Sequence, residues 1–303
     1  MAEPHPPLKP VRSQRPLRAV LWMVLTGLLF VGVTAAVKHG GQNLPAPESA
    51  FLRYLLGIIF LLPMLKALRR AQLTGRQKKL FWIRGFAHSL GVMLWFHAMT
   101  RITIAEVTAM NYMAPIYITI GAALFLGERL ASRRLLAIAA GFVGALIILR
   151  PGFRELSDGH FAMIGAAIVF SVSYLTAKHM TDEVSPTVVV AMLSITVTIC
   201  LFPFAAAVWQ TPTPIQIFWM FVVASLATAG HFTMTLAFAD APVSVTQPVV
   251  FLQLVWSVAT GAIFFSEPAD GWVILGGAVI VGATTFIAIR EAMLRHSQKE
   301  PVA

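Results

Sequence analysis

The sequence predicts an all-α integral membrane protein: ten transmembrane helices arranged as two inverted five-helix repeats. Three observations carry this prediction. Hydrophobic residues make up 57% of the 303 residues and charged residues 12%, about half the roughly 25% usual in soluble domains. Apolar runs near the roughly 20 residues that span a bilayer core as a helix follow one another, parted by short polar breaks. Landmarks of the first half return in the second at a nearly constant offset.

The chain opens on MAEPHPPLKPVRSQRPLR, basic and proline-rich, and residues 1–17 read as a flexible tail. The spans are expected at 18–37, 49–68, 80–99, 104–126, 132–149, 159–179, 186–208, 215–238, 243–265 and 271–290, with a second tail at 291–303. The first span ends in TAAV, a faint match to a signal-peptidase site. The repeat needs that run as a mature helix.

Ten spans put both tails on one side, and the basic residues choose which. Seventeen of the 23 Lys and Arg fall in the tails and the loops on the tail side, against Lys38, Arg101, Arg150 and Arg154 on the other. Excess positive charge marks the cytoplasmic side, so both termini are expected in the cytoplasm. The net charge of +10 is thereby explained without a nucleic-acid partner. Cys200 is the single cysteine, which excludes an intrachain disulfide and a multi-cysteine metal site.

Phe30, Lys38 and Pro63 recur 140 residues on as Phe170, Lys178 and Pro203. Ala98, Phe125 and Glu128 recur 139 residues on as Ala237, Phe264 and Glu267. The halves are assigned as 18–153 and 154–290. Five helices is an odd number, so the second half must enter the bilayer from the opposite side. Inverted repeats place a solute site between the halves and let them rock for alternating access.

The run HAMTRITIAEVTAMNYMAPIYITIGAALFLGERLASRRLLAIAAGFVGALIIL resembles the drug/metabolite transporter superfamily, EamA type. Ala98, Pro115, Gly127, Glu128 and Gly144 carry the likeness, and Arg53 in FLRYLLG matches an arginine often found early in the second helix. The second half departs from the pattern, with Leu254 where the first has Pro115 and Ser266 where it has Gly127. The resemblance implies a ten-helix bundle in a bacterial cytoplasmic (inner) membrane, moving a small organic solute.

Polar side chains inside spans tend to face the bundle interior or a wet cavity, and helical phase groups them. Arg84, His88, Gly91 and Trp95 share one face of the third span, suited to an aromatic or anionic solute. Alternatively, Arg84 snorkels to the interface. His97 lies half a turn off that face. Tyr174 aligns with Ser171 and Lys178, and His231 with Thr228 and Thr235. Gln253 aligns with Thr246, Ser257 and Thr260, near Trp256 on the same span. On the fourth span Glu106, Met110, Met113 and Tyr117 align, with Glu106 expected at the solvated end beside Arg101. The candidate solute contacts are therefore His88, Trp95, Tyr117, Tyr174, His231, Gln253 and Trp256. Small hydroxyls serve solute contact or helix packing equally well.

Pro63, Pro115 and Pro203 lie inside spans, where each removes a helix hydrogen bond. They are candidates for gating bends, Pro63 and Pro203 as a symmetric pair, or for passive curvature. Glu128 and Glu267 are expected to pin tight hairpins at the N-termini of the following helices, where negative charge is favourable. Asp270 is a plausible N-cap beside Glu267.

Neither GxxxxGK[ST], HExxH nor CxxC occurs, and no helix carries a His pair at metal spacing. No cofactor and no metal are expected, and no extramembrane segment is long enough for an ATP-binding domain. The expected partners are a small-molecule solute and membrane lipid, with the chain acting as a monomer or homodimer. The expected function is secondary transport of an amino acid or similar metabolite. A planar cofactor-type metabolite such as riboflavin is the alternative, with an intramembrane enzyme or a sensor behind both.

Overall fold

The computed structural model describes residues 15–40, 44–126, 132–153, 155–181, 183–240 and 243–297. The helices are α1 (Pro16–Gly40), α2 (Ala46–Gly57), α3 (Leu65–Arg70), α4 (Gly75–Met99), α5 (Ile104–Asn111), α6 (Ala114–Leu126), α7 (Ser132–Leu149), α8 (Asp158–Thr181), α9 (Pro186–Ala207), α10 (Pro214–Asp240), α11 (Val243–Phe265) and α12 (Gly271–Ser297). A 3₁₀ stretch, Ile58–Met64, joins α2 to α3 in one crossing, and α5 with α6 makes another. The protein thus crosses ten times, as two inverted five-helix repeats. Among the described residues, five segments are long and apolar enough to span a membrane by length and composition alone: Leu17–Gly40, Ala46–Arg70, Asp158–Ala177, Thr187–Ala207 and Pro214–Met234. Leu21, Leu62, Phe86, Leu146 and Ile263 stand exposed on the perimeter, as a lipid-facing belt requires.

The two ends of the bundle can be told apart by their ion pairs. Arg18 at the start of α1 meets Asp240 at the end of α10, 3.1 Å away. Lys38, near the end of α1, meets Glu267 between α11 and α12. The start of α1 and the end of α12 therefore share one face, here the terminal face; Lys38 and Glu267 mark the far face.

The packing repeats with the chain. The most intimate pairs are α1 with α10 and α4 with α8, the first span on the eighth and the third on the sixth. Exchanging the repeats turns one pair into the other. The α7–α12 pair, the fifth span on the tenth, maps onto itself. It closes through glycines: a Cβ placed on Gly144 would lie 2.7 Å from the Gly276 carbonyl oxygen, and one on Gly276 2.5 Å from that of Gly144. Without driving force from water, helices in lipid associate through such close backbone approach.

The prolines differ from expectation. Pro63 sits in the 3₁₀ stretch, whereas Pro203 lies within the unbroken α-helix α9. The two are not matched bends: the α2–α3 crossing changes helix type around its proline and α9 does not. Pro115 has the larger effect. It cannot donate to the Asn111 carbonyl, and the expected single helix over 104–126 parts at Tyr112–Met113 into α5 and α6. Tyr112 and Met113 donate instead to Ala109 and Met110, at 3.3 and 3.0 Å, across a tightened turn.

Ser266 stands where the first repeat has a glycine, at φ 54°. That is the left-handed region, which costs an L-residue roughly 1–2 kcal/mol. Ser266→Gly is expected to raise the melting temperature of the purified protein, by about 1 kcal/mol in stability. Unchanged or lowered melting would show that the serine side chain compensates.

Candidate functional site

A cavity of about 290 Å³ lies between the repeats, near the lower end of the roughly 300–1,000 Å³ typical of small-molecule sites. The first repeat contributes walls from α1, α2, α4, α5 and α6, and the second from α8, α10 and α11. His88, Trp95, Tyr174, His231 and Gln253 all line it. The α4 face bearing His88 and Trp95 is positioned by a capping box, in which Gln77 N donates to Thr74 Oγ1 at 3.3 Å and Thr74 N to Gln77 Oε1 at 3.0 Å.

His88 is buried and held at both ring nitrogens. Nε2 shares a 2.9 Å hydrogen bond with the Tyr54 hydroxyl, and Nδ1 a 3.2 Å bond with Ser173 Oγ. Phe170 lies 4.9 Å from its ring centre and Tyr174 6.5 Å. The phase of the third span left room at Gly91, and Phe170 fills it: a Cβ there would meet the Phe170 ring at 2.7 Å. Tyr54, His88, Phe170 and Tyr174 thus form an aromatic wall bridging both repeats. His231, exposed to the cavity, packs edge-on against Phe30 with ring centres 5.1 Å apart. Arg84 is buried and donates to the Val189 carbonyl at 3.1 Å, rather than snorkelling.

Two candidates lie elsewhere. Tyr117 is half-buried, its ring edge-on to Phe142 of α7 at 5.9 Å. The break before Pro115 changes the phase of α6, so a face extrapolated from Glu106 does not continue to Tyr117. Trp256 is half-buried with an unpartnered indole nitrogen and does not line the cavity. It follows Gln253 by three residues, which leaves it about 60° round the helix.

Asn111 and Tyr54 line the cavity and were not among the candidates. Asn111 carries a legible signal, since it is four residues before Pro115 and keeps its amide at the break. Thr26 and Thr108 also line the cavity, but their hydroxyls are engaged in helix packing. Thr108 pairs with Ser257 at 2.6 Å and Thr26 with Thr233 at 2.8 Å, each bridging the repeats.

Glu267 sits above the cavity on the far face, folded over Gly261. Its carboxylate pairs with Lys38 and accepts the Ile104 N–H at 2.9 Å, and Lys38 also donates to the Ile102 carbonyl at 2.9 Å. Glu267 therefore caps α5, not the helix that follows it. Asp270 caps α12 through Trp272 N–H at 2.9 Å and pairs with Arg150. Glu106 is likewise not at a solvated end. It is buried, accepts the Thr103 N–H at 2.9 Å in a capping box, and faces His160 at 3.3 Å, while Arg101 pairs with Asp158. Glu128 and the Lys178 side chain lie outside the described residues.

The profile of the EamA-like transporter family matches residues 17–150 and again 157–289. A riboflavin transporter of Rhizobium johnstonii is 32% identical over 290 residues, covering 94% of this chain and 95% of the relative. An S-adenosylmethionine uptake transporter of Rickettsia felis is 25% identical, covering 94% and 97%. One solved crystal structure superposes with a TM-score of 0.59 at 19% identity, over 90% of this chain and 98% of that one, a likeness of fold alone. Two profile matches spanning both repeats, together with a full-length relative, place this ten-helix membrane chain in the EamA-like transporter family.

Proposed function

We propose that the protein is a non-enzymatic secondary carrier that moves a planar small metabolite across a bacterial cytoplasmic membrane by alternating access. The terminal face is assigned to the cytoplasm from its excess of Lys and Arg. The observation that carries this reading is the cavity itself. Its walls come from both inverted repeats, and it lies beneath the Lys38–Glu267–Ile104 tie that joins α1, α5 and the α11–α12 connection. Rocking of one repeat against the other would break that tie and expose the cavity to the far side.

Riboflavin is the first solute to test. An aromatic wall offers stacking to a fused ring, and Gln253 and Asn111 offer amides to its polar edge. Among the described residues no carboxylate lines the cavity, so an ammonium or sulfonium cation finds no counter-charge on those walls. That favours a flavin-like solute over one whose net charge is positive, and it accords with the 32%-identical relative.

Purified protein in liposomes preloaded with unlabelled riboflavin is expected to drive counterflow of labelled riboflavin. Absence of counterflow with flavins, but its presence with amino acids, would overturn the solute. Product formation without flux would overturn the carrier. Trp95→Ala and Gln253→Ala are each expected to reduce counterflow by about tenfold, the scale of a buried anchor contact, at wild-type levels of inserted protein. Unaltered kinetics in both would remove them from the site.

A further inference from the structure

The cavity holds a charge that no acid among the described residues neutralises. Arg53, 9% exposed, lines it from α2. Its guanidinium lies over the Tyr54 ring, 4.1 Å from the centroid. Its Nε is buried without a hydrogen-bond partner, and among the described residues it has neither a carboxylate nor a carbonyl to bind. Other cations of the bundle are placed differently. Arg18, Lys38, Arg76, Arg101 and Arg150 each meet an acid, and Arg84 has the Val189 carbonyl.

An unpaired buried charge is costly, and inside a membrane span such a residue marks a solute path. Guanidinium is the group whose fork matches a carboxylate or phosphate through two parallel hydrogen bonds. Tyr54 holds Arg53 by its ring and His88 by its hydroxyl, so the cation sits at the edge of the aromatic wall. On the remaining walls Asn111, Gln253 and His231 supply hydrogen-bonding groups, and among the described residues no acid competes for the guanidinium.

We propose that Arg53 forms an anion subsite of the cavity: it receives a carboxylate or phosphate oxygen of the solute while the Tyr54–His88–Phe170–Tyr174 wall takes its ring. The cargo class is then a planar ring bearing an anionic oxygen group: riboflavin, which is neutral, fills the ring wall alone, whereas its 5′-phosphate fills the wall and the subsite. This rests on the cavity being the solute site, but not on the solute being a flavin.

The test uses the full chain in detergent, as wild type, Arg53→Gln and Arg53→Lys. Two probe pairs differ in charge: riboflavin against riboflavin 5′-phosphate, and benzamide against benzoate. In the wild type the anionic member of at least one pair is expected to bind about tenfold tighter, the scale of one charge-assisted bond. The pair that responds distinguishes phosphate from carboxylate. Arg53→Gln is expected to bring the two members within about twofold, and Arg53→Lys to retain part of the preference. Ligand-free Arg53→Gln is expected to melt no lower than wild type, because an uncompensated charge is removed.

Melting several degrees lower would make Arg53 structural and overturn the subsite. Equal binding of charged and neutral members, or no binding of either anion, would overturn it too. Riboflavin bound without anion preference, and unaffected by Arg53→Gln, would sink the subsite and leave the carrier reading standing. Benzoate preference without flavin binding would support the subsite and sink only the flavin.

Discussion

Leucine at Gly144 is expected to abolish folded protein, whereas leucine at Gly282 of α12 is expected to leave it intact. At Gly144 even a Cβ would meet the Gly276 carbonyl oxygen at 2.7 Å and the Ile280 backbone nitrogen at 3.1 Å. These are backbone atoms of α12 and cannot rotate away. Overpacking a well-packed site costs typically about 1–3 kcal/mol and occasionally more. Here the whole α7–α12 contact must open, so the loss is expected at or above about 3 kcal/mol. A Cβ on Gly282 meets nothing within 4 Å. Fluorescence-detected size exclusion of the detergent extract reads the outcome. A monodisperse peak of wild-type height for Gly144→Leu would show that α7 and α12 can separate at no cost. The reciprocal Gly276→Leu is expected to behave as Gly144→Leu does, because its Cβ would meet the Gly144 carbonyl oxygen at 2.5 Å.

Neutralising Glu267 is expected to be the most damaging single change of a charge. Its side chain is 10% exposed and that of Lys38 16%, so neither ion is well hydrated. Removing one partner of a buried pair costs about 3–5 kcal/mol, because the other is left uncompensated. Glu267→Gln retains an acceptor for the Ile104 N–H but leaves Lys38 with the Ile102 carbonyl and the Phe265 ring, and no counter-ion among the described residues. A loss of about 3 kcal/mol is expected. Lys38→Met is expected to cost less, since Glu267 keeps the N-terminus of α5, a favourable place for negative charge. Lys38→Met with Glu267→Gln should then recover part of the loss, with a coupling in the range of about 0.5–3 kcal/mol found for interacting residues. Thermal unfolding of the four proteins closes this cycle. Additive effects would show that the two groups do not stabilise each other. Counterflow by the double variant adds a functional reading: with the far-face tie gone, the balance between the two access states is expected to shift toward far-face opening.

Bilayer thickness and helical period are local properties, so they can be read from one segment at a time. The ten crossings followed from run lengths, the inversion from the odd count per half, and the cavity positions of His88, Trp95, Tyr174, His231 and Gln253 from phase within a single regular helix. Phase fails where regularity does. Pro115 breaks the 104–126 crossing, which carries Tyr117 to Phe142 and puts Asn111 at the cavity. Partners fail for a different reason, since a charge in one segment chooses among groups far away in the chain. Glu267 reads as an N-cap for the helix after it, yet it serves α5, 163 residues earlier in the chain, because the inverted packing brings the two together at the far face. Glu106 reads as solvated and is enclosed beside His160. Arg53 reads as the arginine that the family pattern places early in the second helix; only the assembled bundle shows that no acid among the described residues reaches it, because pairing depends on which helices meet and no single segment encodes that.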